Sequence, residues 1–67
     1  MNVTINGTKT EVGSATKVGD VAAELARGRR SGVAIAINGE VVPKSEWERV
    51  ALAEGDRVEV LTAIGGG

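Results

Sequence analysis

The residues able to do chemistry in this chain are few, and they direct attention to its end. There is no cysteine and no histidine among the 67 residues. That removes the thiolate nucleophile, the persulfide, the disulfide, and the usual metal ligand and general base. Ser14, Ser31 and Ser45 carry hydroxyls, but with no imidazole to activate them they read as turn and cap residues. What remains is Gly65-Gly66-Gly67. Residues without a Cβ can lie extended in a channel too narrow for side chains, so such an arm can carry the Gly67 carboxylate into the active site of another protein. A free carboxylate is a poor electrophile. Transfer of an adenylyl group from ATP turns it into an acyl adenylate, whose leaving group sulfide or persulfide sulfur can displace. A sulfur carrier without a thiol has to hold its sulfur there, as a thiocarboxylate. Three glycines taken alone fit a frayed end equally well, so the elements that precede them must decide.

Length and composition narrow the setting. Sixty-seven residues make one small domain, with no room for a second core or a deep cofactor pocket, so function is expected at the surface. Apolar residues at 42% and charged residues at 25% exclude disorder, and no apolar run reaches the roughly 20 residues of a membrane span. A net charge of −1 lacks the basic field of a nucleic-acid binder. The one basic cluster, Arg27, Arg29 and Arg30 around Gly28, reads as the cationic end of a helix, with an acidic partner surface as its alternative. A small domain without disulfide staples and without a signal-type N-terminal stretch is expected in the cytoplasm.

Periodicity then supplies the scaffold. Val3 and Ile5 alternate with polar neighbours, Asn6-Gly7 suits a type I′ turn, and Thr8 to Val12 forms the return strand. Val18, Val21, Ala22 and Leu25 recur as one helical stripe, with Gly28 as the stop. At the start of this helix Thr16 is a possible cap, Lys17 is not, and Gly19 lowers helix propensity. Val33 to Ile37 reads as a buried strand, Asn38-Gly39 as a second hairpin turn, and Glu40-Val41-Val42 as a short return strand ended by Pro43. Ser45 to Trp47 makes a helical turn capped by Ser45, with Trp47 folded onto the core. After the Glu54-Gly55-Asp56 turn, Arg57 to Ala63 alternates once more, with Val58, Val60 and Thr62 on one face and Leu61 and Ala63 on the other.

This is the order of an α+β, ubiquitin-like β-grasp: a mixed sheet of four to five strands with one main helix on one face. The first and last strands are expected parallel at the centre, because the helix supplies the crossover that parallel pairing needs. Residues 1–63 form the domain, and residues 64–67 a flexible Gly-Gly tail leaving from the middle of the sheet.

The ordered set of Asn6-Gly7 after a first strand, Gly32 to Lys44 with its Ala-Ile-Asn-Gly and Val-Val-Pro, Trp47, Glu54 to Ala63, and terminal Gly66-Gly67 resembles the ThiS family, the sulfur carriers of thiamine thiazole biosynthesis. The likeness runs over nearly the whole chain. It implies a carrier rather than an enzyme, with no cofactor of its own. An E1-like adenylyltransferase would use ATP to activate Gly67, a sulfur donor enzyme such as a cysteine desulfurase would supply the sulfur, and thiazole synthase would receive it. Gly66, Gly65 and Ile64 would be the arm, and Leu61 and Ala63 part of the docking face; no nucleic acid or membrane enters this scheme. Two readings of the same fold stand beside it: the small subunit of molybdopterin synthase, and a ubiquitin-like modifier that passes the activated carboxyl to lysine amines. A passive binding module with a loose glycine end is the third.

Overall fold

Turn chemistry sets the two hairpins. Asn6 and Asn38 have φ of 51° and 52°, and Gly7 and Gly39 follow at 83° and 85°. Paired positive angles of this kind match the right-handed twist of the flanking strands. The computed structural model describes residues 1–26 and 32–62. Its elements are β1 (Asn2–Ile5), β2 (Thr8–Glu11), α1 (Val18–Ala26), β3 (Val33–Ile37), β4 (Glu40–Val42), a single 3₁₀ turn (Lys44–Glu46) and β5 (Arg57–Thr62).

The sheet order is β2-β1-β5-β3-β4. β1 runs parallel to β5 through Thr4↔Arg57 and Ile5↔Val58, and the other neighbours pair antiparallel. The last strand is therefore central. Mixed pairing around one crossover helix makes the molecule a ubiquitin-like β-grasp.

α1 lies on one face and closes the core with Val18, Val21 and Ala22 against Val3, Ile35, Val58 and Val60, while Leu52 seals the end. Val33, Ile37 and Val42 pack around it, and Trp47 covers one side as a half-buried lid. The Trp47 indole N–H donates to the Val42 carbonyl at 3.0 Å, which satisfies the ring's one polar atom.

Four expectations are corrected. Thr16 does not cap α1. Lys17 stands at the N-terminal boundary, its N–H donating to the Asp20 carboxylate at 2.9 Å. The free N–H groups of Val18 and Gly19 go to the carbonyls of Val50 and Trp47, so carbonyls from a distant loop meet the need that a cap residue ordinarily meets. Ser45 is likewise no cap: it sits inside the 3₁₀ turn, whose preceding residue is Pro43. Leu25 is 42% exposed rather than core. It borders a groove of about 620 Å³ between α1 and the β1–β2 hairpin, lined on the hairpin side by Ile5, Thr8 and Thr10. Finally, β2 ends at Glu11, although Val12 still exchanges two main-chain hydrogen bonds with Met1, both 2.8 Å. Gly28 and the three arginines lie outside the described residues.

Candidate functional site

The candidate site named from the sequence adjoins the outgoing end of β5. Along this strand Val58 and Val60 are buried while Arg57, Glu59 and Leu61 face outward, as a period of two requires when only one face is covered by a helix. Leu61, expected at a docking face, is 68% exposed. It sits opposite Ala34, and Ala36 sits between Glu59 on β5 and Val41 on β4. Val41 is also 68% exposed. The outer face of β5, β3 and β4 therefore carries a shallow apolar strip of Leu61, Ala34, Ala36 and Val41, flanked by Arg57 and Glu59.

Two side chains not recognised from the sequence hold β5 in place. The Asn38 carboxamide accepts from the Arg57 N–H at 2.9 Å, donates to the Asp56 carboxylate at 3.1 Å, and so fixes where β5 begins. The Asn6 carboxamide accepts from the Val60 N–H at 2.8 Å and donates to the Val60 carbonyl at 3.2 Å. Both asparagines read as turn residues because their local signal is the Asn-Gly pair. Their bonds to β5 cross 54 residues for Asn6 and 19 for Asn38, distances no local pattern encodes.

The same rigidity reaches the turn that feeds β5. Gly55 has φ of 85°, the Asp56 carboxylate accepts from the Ala53 N–H at 2.8 Å, and Gly55 N–H donates to the Asn2 carbonyl at 2.7 Å. Thr4 N–H then donates to the Asp56 carbonyl at 2.9 Å, which ties the strand's start to β1. Ala63, Ile64, Gly65, Gly66 and Gly67 lie outside the described residues. Among the described residues no three acidic side chains gather as metal ligands, and no helix is long and apolar enough to cross a membrane.

Fold and site together define a ubiquitin-like β-grasp domain whose central strand leads directly, in sequence, to a glycine arm. The model of the ThiS family matches residues 2–67, and the chain belongs to that family. It is 37% identical to a thiazole synthase of Paramagnetospirillum magneticum, over the whole chain but only 20% of that protein. It is 36% identical to the sulfur carrier protein ThiS of Escherichia coli over 39 residues, which are 58% of this chain and 59% of the other. The chain thus spans about a fifth of the first relative's length, and the matched segment less than two thirds of the second's. The crystal structure of the thiamine biosynthesis protein ThiS from Geobacter metallireducens superposes with a TM-score of 0.80 at 30% identity, covering all of both chains. Its solution structure gives 0.78 at 30% identity, covering all of this chain and 88% of the other.

Proposed function

We propose that this chain is a sulfur carrier of thiamine thiazole biosynthesis, with Gly67 as its terminal residue and the Gly67 carboxyl as the carrier group. The observation that carries the reading is the parallel β1–β5 pairing: it sets the strand that leads to the glycines at the centre of the sheet, beside an exposed apolar strip. An E1-like adenylyltransferase docks on that face through Leu61, with Ala63 adjoining it. Ile64 leads into Gly65 and Gly66, which pass through a channel that admits no Cβ. In the activation step a Gly67 carboxylate oxygen attacks the α-phosphorus of ATP and pyrophosphate leaves. The terminal sulfur of a persulfide, delivered by a donor such as a cysteine desulfurase, then attacks the carbonyl carbon and AMP leaves; a second thiol cleaves the resulting acyl disulfide, releasing the thiocarboxylate and leaving the two thiol sulfurs joined as a disulfide. The chain itself supplies no acid, base or cofactor; ATP is held by the partner. Thiazole synthase is the acceptor, a reading supported by the chain's likeness to part of a protein of that name.

The deciding experiment is incubation with ATP, the activating enzyme and a sulfur source, followed by intact-mass measurement. The expected product has one terminal oxygen replaced by sulfur. Deletion of Gly66-Gly67, or Gly66→Val, should abolish it while leaving the melting temperature unchanged. Sulfur loading by the truncated chain at the full-length rate would sink the proposal, and accumulation of lysine conjugates instead of thiocarboxylate would move the chain to the modifier class.

A further inference from the structure

We infer that Asn6 is a positioning residue for the outgoing tail: its carboxamide takes the place of a strand residue beside β5 and sets the direction in which the chain leaves the sheet. The inference rests on the carrier reading above.

β1 stops at Ile5, whereas its parallel partner β5 continues to Thr62. A strand that outruns its neighbour has unpaired main-chain groups along that flank. Asn6 covers the gap in two steps. Its main-chain N–H donates to the Val58 carbonyl at 2.8 Å, and its side chain then meets both the N–H and the carbonyl of Val60, at 2.8 and 3.2 Å. One carboxamide so reproduces the donor and acceptor of a peptide group. The opposite flank is held by β3 as far as the Val33↔Thr62 pair. Through Val60, then, β5 is gripped from both sides.

The grip bears on the reaction because Leu61, the exposed residue of the proposed docking face, follows Val60 directly in the chain, so releasing Val60 changes how the strand end is presented to the activating enzyme.

Asn38 provides a matched control. It has the same turn conformation, with φ of 52° against 51°, and grips the same strand through its carboxamide, but at the entry residue Arg57. A purely structural role predicts the same consequences for both asparagines. A positioning role separates them.

The test compares Asn6→Gly with Asn38→Gly in the full-length chain, glycine being the replacement that keeps a positive φ unstrained. ATP–pyrophosphate exchange with the activating enzyme reads adenylation. Amide exchange at Val60 and residual dipolar couplings of the Leu61 and Thr62 N–H vectors read the strand end. Expected are a drop of about tenfold in kcat/KM for Asn6→Gly and less than about threefold for Asn38→Gly, with faster Val60 exchange and reoriented Leu61 and Thr62 vectors only in the former. Should Asn6→Gly not fold, Asn6→Asp serves, since it keeps the acceptor for the Val60 N–H and opposes the Val60 carbonyl with a carboxylate. Equal kinetic losses in the two variants, or unchanged vectors at Leu61 and Thr62, would overturn the inference. A wild-type chain that is not adenylated at all sinks the carrier reading instead, and the N–H vectors alone then decide the role of Asn6.

Discussion

Gly19 tests the packing of the helix start, because two effects of comparable size oppose each other there. As the second residue of α1 it weakens the helix by up to about 1 kcal/mol relative to alanine. Its N–H donates to the Trp47 carbonyl at 3.0 Å, a bond that alanine preserves. A Cβ at this position would collide with the Glu48 carboxylate and lie 3.4 Å from the Trp47 carbonyl oxygen. The second contact is tolerable. The first is with the far end of an exposed, flexible side chain, which can rotate away at the loss of whatever favourable field it feels beside the helix N-terminus, about 0.3–0.5 kcal/mol. Gly19→Ala should therefore stabilise the domain by about 0.5 kcal/mol, or roughly 2–4 °C in melting temperature for a chain of this size. In a Glu48→Ala background the gain should approach the full propensity term of about 1 kcal/mol. Differential scanning fluorimetry, or the Trp47 emission followed in urea, measures all four proteins. A loss of stability from Gly19→Ala in both backgrounds would refute the reasoning, since the obstacle would then be the Trp47 main chain and not the Glu48 side chain.

Three further outcomes are expected. Ile35 is 1% exposed and lies between Val60 and Val42. Ile35→Ala should cost about 2–5 kcal/mol out of a total of about 3–10 kcal/mol for this length, leaving much of the chain unfolded at 37 °C, whereas Ile35→Val should cost only about 0.5–1.5 kcal/mol in urea melts. Asp20→Ala removes the acceptor of the Lys17 N–H and should cost about 1 kcal/mol, read as a lowered urea midpoint with unchanged slope. Leu61→Ala should leave stability within about 0.5 kcal/mol, since the side chain is exposed, while weakening capture by the activating enzyme in a binding titration; unchanged affinity would remove Leu61 from the docking face.

The elements that were legible in the sequence share a local signal. Asn-Gly pairs announced both hairpins, and both asparagines do have positive φ. Alternation placed Val58 and Val60 inward and Leu61 outward, and the helical stripe held at Val18, Val21 and Ala22. It failed at Leu25, because burial there depends on how closely the β1–β2 hairpin approaches the helix, and a groove stays open between the two. Thr16 and Ser45 failed as caps for a related reason. The first two N–H groups of α1 were already met by Val50 and Trp47 carbonyls, and a proline at the start of the 3₁₀ turn occupied the cap position. Gly19, read as a weakness in the helix, stands where the 47–50 segment approaches too closely for a Cβ to fit without moving Glu48.

By itself, then, the sequence determined which segments would be strand or helix and which faces would be apolar. All of these follow from residue type and near-neighbour spacing. Only the tertiary structure decided that the Val50 and Trp47 carbonyls meet the first two N–H groups of α1 and that Asn6 and Asn38 grip β5. Those outcomes depend on hydrogen bonds between residues 19 to 54 positions apart, whose partners are not chosen until the crossover has brought the first strand and the last side by side.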